Sequence, residues 1–140
     1  MSADTQIDLL FVYGTLRKGA EHLMAKYLGQ KSDPVGEGEM AGKLFKVDFY
    51  PGAIFEPHSP YRVKGEVFRL HDPLKLFMVL DGYEGYTPQA HANSLFIRDV
   101  VPVSINGIHQ DCWVYLFQQA TEGLPFIEHG DFLQYSIENA

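Results

Sequence analysis

Only one cysteine, Cys112, occurs in 140 residues, which excludes an internal disulfide and fits a reducing compartment. It lies in the run CWVYLF, where a small apolar packing role is expected of it. Basic residues are scarce: 11 lysines and arginines stand against 18 acidic residues, for a net charge of -7. They form no stripe able to track phosphates, so nucleic acid and anionic membranes are poor partners. No apolar run approaches the roughly 20 residues of a membrane span. The amino end MSADTQIDLL has neither the basic nor the apolar region of a secretory leader. A cytoplasmic protein is expected. Linkers, repeats and low-complexity tracts are missing as well. At this length one domain over residues 1–140, with its core at about 8–135, is the expectation.

Several chemistries fail for want of a residue. GEGEMAGK is glycine-rich, but a phosphate loop needs glycine where Glu37 stands and a hydroxyl where Leu44 stands. The six histidines, at 22, 58, 71, 91, 109 and 129, form no close pair at helical or strand spacing. Zinc needs three or four such ligands, so no metal site is expected. Ser59, Ser94 and Ser104 lie in no glycine-flanked turn of the kind a serine nucleophile occupies.

What is present is a succession of short, apolar elements. DLLFVYGTLRKG reads as a buried strand that runs into a loop. AEHLMAKYLG spaces Leu23, Tyr27 and Leu28 at helical intervals, with Gly29 at the expected end. EMAGKLFKVD, GAIFEP and YRVKGEVFRL alternate apolar and polar residues and read as three strands. DPLKLFMVLDGYEG reads as a helix capped by Asp72, with Pro73 in its first turn, apolar positions at Leu76, Phe77, Val79 and Leu80, and an end near Gly82. Two further strands meet at Asn106-Gly107, the strongest hairpin signal in the chain. The sheet is therefore expected to be largely antiparallel, and Asp131 is expected to cap a last short helix.

Two stretches carry chemistry. In VYGTLRKG a strand stops at glycine and threonine, leaving backbone N–H groups that can hold a carboxylate. The plain alternative is a connector in which Gly14 supplies a left-handed backbone angle. In LDGYEGYTP, Glu84 lies between Tyr83 and Tyr86 and between two glycines. It is either a solvated residue after a helix or an acid isolated by rings. Arg17 and Arg98 read as surface or strand-end charges, each able to pair with a carboxylate. Tyr115 fills the core and needs a partner for its hydroxyl.

The stretches VYGTLRKG, GKLFKVDFYPGA, VKGEVFRL, LDGYEGY and WVYLF, closing on GDFLQY, resemble in order and spacing the γ-glutamylcyclotransferase-like proteins, in particular the small γ-glutamylamine cyclotransferase branch. The resemblance runs from about Leu10 to Tyr135. It implies an α+β fold: a small mixed, largely antiparallel, strongly bent or barrel-like sheet with a few short helices and one cavity. It also implies an enzyme that turns a γ-glutamyl amine or γ-glutamyl amino acid into 5-oxoproline and a free amine. No cofactor is implied, and the partner is the small-molecule substrate. Glu84 matches the family's catalytic glutamate, and Tyr13, Gly14, Thr15, Leu16 and Tyr115 form the substrate-binding set. The family often has tyrosine two residues before the arginine of its late strand; here LFIR has Phe96.

On that resemblance the substrate's own α-amine is the nucleophile. Glu84 moves its proton to the leaving nitrogen, its pKa raised by burial beside Tyr83 and Tyr86. The N–H groups of Gly14, Thr15 and Leu16 hold either the α-carboxylate or the oxyanion. A non-catalytic small-ligand module of the same fold is the alternative. A protein-interaction domain built on an exposed aromatic patch ranks below both. The leaving amine is open, and a monomer is weakly favoured.

Overall fold

The computed structural model describes residues 7–14, 23–48, 50–84 and 94–139. In chain order these form β1 (Leu9–Val12), α1 (Leu23–Gln30), β2 (Ser32–Lys46), β3 (Pro51–Phe55), β4 (Arg62–Leu70), α2 (Pro73–Glu84), β5 (Phe96–Ile105), β6 (Ile108–Phe117) and α3 (Phe132–Glu138).

The strands run β3-β2-β4-β1-β6-β5, and β5 returns to pair with β2 at Glu39 and Ser104. Five strands thus close into a small barrel, and β3 is added outside the ring. Every pairing is antiparallel except β1 with β6, which meet in parallel at Leu10 and Trp113. The small, mixed and mostly antiparallel barrel implied by the resemblance is the fold observed.

One long strand makes closure and the sixth strand compatible. From Ser32 to Ala41, β2 pairs with β4; from Gly42 to Lys46 it pairs with β3. Gly42 is the pivot, with φ +152°, and a Cβ there would lie 1.9 Å from the carbonyl oxygen of Ile54. No larger residue fits so close an approach. The strand also begins seven residues earlier than the pattern EMAGKLFKVD suggested. Pro34 and Gly36, which precede that pattern, occupy a register shift in the β2–β4 ladder, where a missing N–H and an extra residue are tolerated.

The apolar run of β1 is buried on both sides, which explains its lack of alternation. Phe11 and Tyr13 join the barrel interior with Met40, Val67, Val103 and Val114. Leu10 and Val12 face a second cluster that includes Leu28, Phe68, Leu76, Leu80 and Phe117. Each such side chain contributes about 1.5–3 kcal/mol on burial. Cys112 is fully buried in the interior, as its apolar context suggested.

Helix α2 starts where expected: the N–H of Lys75 donates to the carboxylate of Asp72. It buries Leu76, Phe77 and Leu80 against the outer cluster, while Val79 turns outward. It continues past Gly82 to Glu84, and α1 likewise passes Gly29 to end at Gln30. Asn106 (φ 52°) and Gly107 (φ 80°) make the expected hairpin turn. Asp131 caps α3 by accepting from the N–H of Gln134 at 3.1 Å. Among the described residues no helix is long and apolar enough to cross a membrane.

Candidate active site

Because β1 and β6 run in parallel, their carboxyl ends lie side by side, and both sequence-flagged stretches converge on them. Tyr13, the residue after β1, is buried in the barrel interior. Its hydroxyl donates to the carbonyl oxygen of Tyr115 at 2.5 Å and accepts from the N–H of Ala53 at 3.2 Å. Tyr13 therefore joins β1, β3 and β6. Burial, and then the charge of Glu84, raises its hydroxyl pKa far out of the accessible range, against a smaller opposite effect of the Ala53 N–H.

Gly14 follows. Its φ is not left-handed, so the reading of this glycine as a backbone-angle device is corrected. The constraint is spatial: a Cβ would lie 2.8 Å from Cγ and 3.0 Å from Cδ of Pro51. The loop thus leaves β1 directly over the ring that starts β3. Thr15, Leu16 and Arg17 lie outside the described residues, as does Tyr86.

Glu84 is the last residue of α2 rather than a loop residue. Its carboxyl is largely buried and its pKa is raised to about 7, first by burial and then by the negative charge of Asp81. The sequence alone pointed to burial between rings; the like charge one turn earlier was not foreseen. Glu84 also raises the pKa of the Tyr115 hydroxyl, after the larger contributions of burial and Asp81. The Glu84 carboxyl is therefore within electrostatic reach of the hydroxyls of both Tyr13 and Tyr115. The Tyr115 side chain fills the core, as expected, and its hydroxyl finds its partner in Asp81 at 2.6 Å.

Arg98 is not a surface charge but pairs with a carboxylate, as the sequence reading allowed. Its Nε and Nη2 donate to the two carboxylate oxygens of Asp81 at 2.9 and 3.1 Å, and the two side chains are only 17% and 14% exposed. The guanidinium lies 4.0 Å from the centroid of Phe77 and 4.6 Å from that of Trp113. Sequence reasoning assigned Asp81 and Arg98 no part in the site. The available signal was two carboxylates at i and i+3 on an otherwise apolar helix face, which places both on one side.

Phe96, where the family often has tyrosine, is buried against Phe117 and Tyr50 at centroid distances of 5.6 and 6.0 Å. That position is filled by packing. Burial pushes the Cys112 thiol up to about 12, with Asp111 adding to it, so no thiolate nucleophile is present there. Among the described residues no group of three or more histidine, cysteine or acidic side chains is placed to hold a metal ion.

A family profile described as gamma-glutamyl cyclotransferase, AIG2-like, matches residues 10–134. Among solved structures the chain is similar to YkqA from Bacillus subtilis, with a TM-score of 0.71 and 23% identity over 94% of this chain and 42% of that one. It therefore spans less than half the length of YkqA. It is also similar to an AIG2-like protein from Mus musculus, with a TM-score of 0.67 and 23% identity over 87% of this chain and 86% of that one. An uncharacterized protein from Pyrococcus horikoshii aligns with a TM-score of 0.62 and 20% identity over 94% of each chain. At these identities the structural likeness is one of fold. No curated protein sequence matches the chain.

Proposed function

This chain belongs to the gamma-glutamyl cyclotransferase, AIG2-like family, and on that premise we propose that it converts a γ-glutamyl amine or γ-glutamyl amino acid into 5-oxoproline with release of the amine. The observation that carries the reading is the Glu84 carboxyl, largely buried, with a pKa raised to about 7 and within electrostatic reach of Tyr13 at the end of β1. A carboxyl of that affinity is present in both protonation states near neutral pH, which suits it to accept and return a proton.

The reaction needs little covalent help from the protein. The α-amine nitrogen of the substrate attacks its own γ-carbonyl carbon, a C–N bond closes the five-membered ring, and the bond to the leaving nitrogen breaks. Glu84 accepts the proton released by the α-ammonium and delivers it to that nitrogen; the attacking nitrogen sheds a second proton as the lactam forms, and it ends on the released amine as an ammonium, so no net proton is gained or lost. Holding the glutamyl chain folded supplies the remaining advantage, since well-oriented intramolecular attack reaches effective molarities of roughly 10⁵ M or more. Tyr13, Gly14, Thr15 and Leu16, together with Tyr115, are the gripping residues in this reading. Because both hydroxyl functions of Tyr13 are engaged by the protein, its share is to aim the loop. Backbone N–H groups are left to receive the substrate's α-carboxylate or the oxyanion. No cofactor or metal enters any step.

The test is mass-spectrometric detection of 5-oxoproline from γ-glutamyl amino acids, γ-glutamyl-ε-lysine and γ-glutamyl amines. Product identifies the reaction and the preferred leaving amine. Saturable binding of these compounds by the folded protein, without product, rejects the enzyme in favour of a ligand-binding module.

A further inference from the structure

Two carboxylates stand near the end of α2, and their surroundings differ. Asp81 receives both Nε and Nη2 of Arg98 and the hydroxyl of Tyr115. Arg98 comes from β5 and Tyr115 from β6, and the guanidinium plane is held by Phe77 of α2 and Trp113 of β6. Helix and barrel therefore meet at one carboxylate. A planar two-pronged donor fixes the orientation of its partner as well as its position. Glu84 lies three residues on, one helical turn away and on the same face.

We propose that Asp81 is a positioning residue for Glu84: clamped by Arg98 and Tyr115, it pins the last turn of α2 to β5 and β6 and fixes a negative charge one turn from the Glu84 carboxyl. This rests on Glu84 being the acid–base group. Among the described residues, the titratable and charged groups around that carboxyl are Asp81 on its own helix, Tyr13 from the end of β1, Tyr115 from β6, and Arg98 of β5 behind Asp81. The two tyrosines stay neutral, because burial and the neighbouring carboxylates raise their pKa values. The formal charges are those of Asp81, which opposes ionisation of Glu84, and Arg98, which moderates that opposition. The clamp thus serves both geometry and proton affinity.

A purely structural ion pair and a positioning residue behave differently on substitution. Asp81→Asn preserves shape and removes charge, so the Glu84 titration midpoint falls by roughly one pH unit, as expected for loss of a nearby like charge. The acid limb of kcat/KM falls with it. Arg98→Gln leaves the Asp81 charge unmatched, so the midpoint moves in the opposite direction, upward. The readout is a ¹³C NMR titration of the Glu84 carboxyl in the full chain, assigned by its loss in Glu84→Gln, which needs no substrate. A folded Asp81→Asn protein whose midpoint stays or rises overturns the proposal. Should that variant not fold, Arg98→Gln decides, and an unchanged or lowered midpoint overturns it. Formation of 5-oxoproline by the wild type is scored separately. Midpoints that move as expected in a protein making no product would reject the reaction and leave the electrostatic pinning standing.

Discussion

The hydroxyl of Tyr13 donates to the carbonyl oxygen of Tyr115 at 2.5 Å while accepting from the N–H of Ala53. These residues are 102 and 40 positions away in the chain, yet one side chain joins the ends of β1 and β6 to the edge of β3. The loop that leaves β1 therefore starts from a fixed point on the barrel rim.

Tyr13→Phe removes that hydroxyl and leaves a buried carbonyl and a buried N–H short of a partner. Such groups cost about 1–3 kcal/mol each when left unsatisfied. The expected result is a urea midpoint lowered accordingly and a raised KM, because the loop loses its anchor. The pH dependence of kcat should stay as in wild type, since Tyr13 is neutral throughout the accessible range. A shifted pH profile would give Tyr13 a part in proton transfer.

Glu84→Gln keeps the shape of the side chain and removes its ability to carry a proton. Turnover to 5-oxoproline is expected to fall by about 10²- to 10⁴-fold, the usual worth of a general acid–base group. Circular dichroism should show an unchanged fold. Activity retained in the folded variant would remove Glu84 from the mechanism.

The same substitution has a consequence for stability. Glu84 binds its proton more tightly in the folded protein, at about 7, than at its ordinary value of 4.5. The native state therefore holds more protons between those values, and the Glu84 contribution makes stability fall as pH rises from about 4.5 through about 7, with no further change above. The loss is on the order of 3 kcal/mol at most. Glu84→Gln should be more stable than wild type at about pH 8 and similar at about pH 4.5. Urea unfolding of both proteins at the two pH values reads this as a difference, which cancels the other carboxylates. An equal difference at both ends would mean that Glu84 titrates alike in the folded and unfolded chain.

Gly14→Ala brings a methyl group to 2.8 Å from Cγ of Pro51. Either the loop or β3 must shift, at a cost of about 1–3 kcal/mol for an overpacked site. KM should rise with it. Pro51→Ala in the same chain removes the obstructing ring atoms, so a double-mutant cycle should show part of the loss recovered. Simple additivity would place the effect of Gly14→Ala elsewhere than at Pro51.

Much of the fold was legible from local chemistry. The apolar run LLFV, the alternation in RVKGEVFRL and the Asn106-Gly107 turn specify β1, β4 and the β5–β6 hairpin with little help from distant residues. The differences lie at element ends. Gly29 reads as the end of α1, and the end of α2 is expected near Gly82; the helices run on to Gln30 and Glu84. A glycine costs a helix only about 1 kcal/mol, less than burial of neighbours such as Leu28 and Leu80 contributes. The start of β2 at Ser32 was not legible, because the place of Pro34 and Gly36 in a bulge depends on β4, which follows some thirty residues later.

The sequence by itself determined the elements and singled out Glu84, because periodicity, caps, turns and an acid set among rings are all properties of neighbours along the chain. Which charges meet was decided by the barrel. Asp81 and Arg98 are 17 residues apart, and Tyr115 is 34 from Asp81. Nothing local requires a guanidinium to lie against both Phe77 and Trp113. Only the closure of β2, β4, β1, β6 and β5 into a ring, with α2 packed outside it, brings those groups together in surroundings dry enough for the Asp81 charge to act on Glu84.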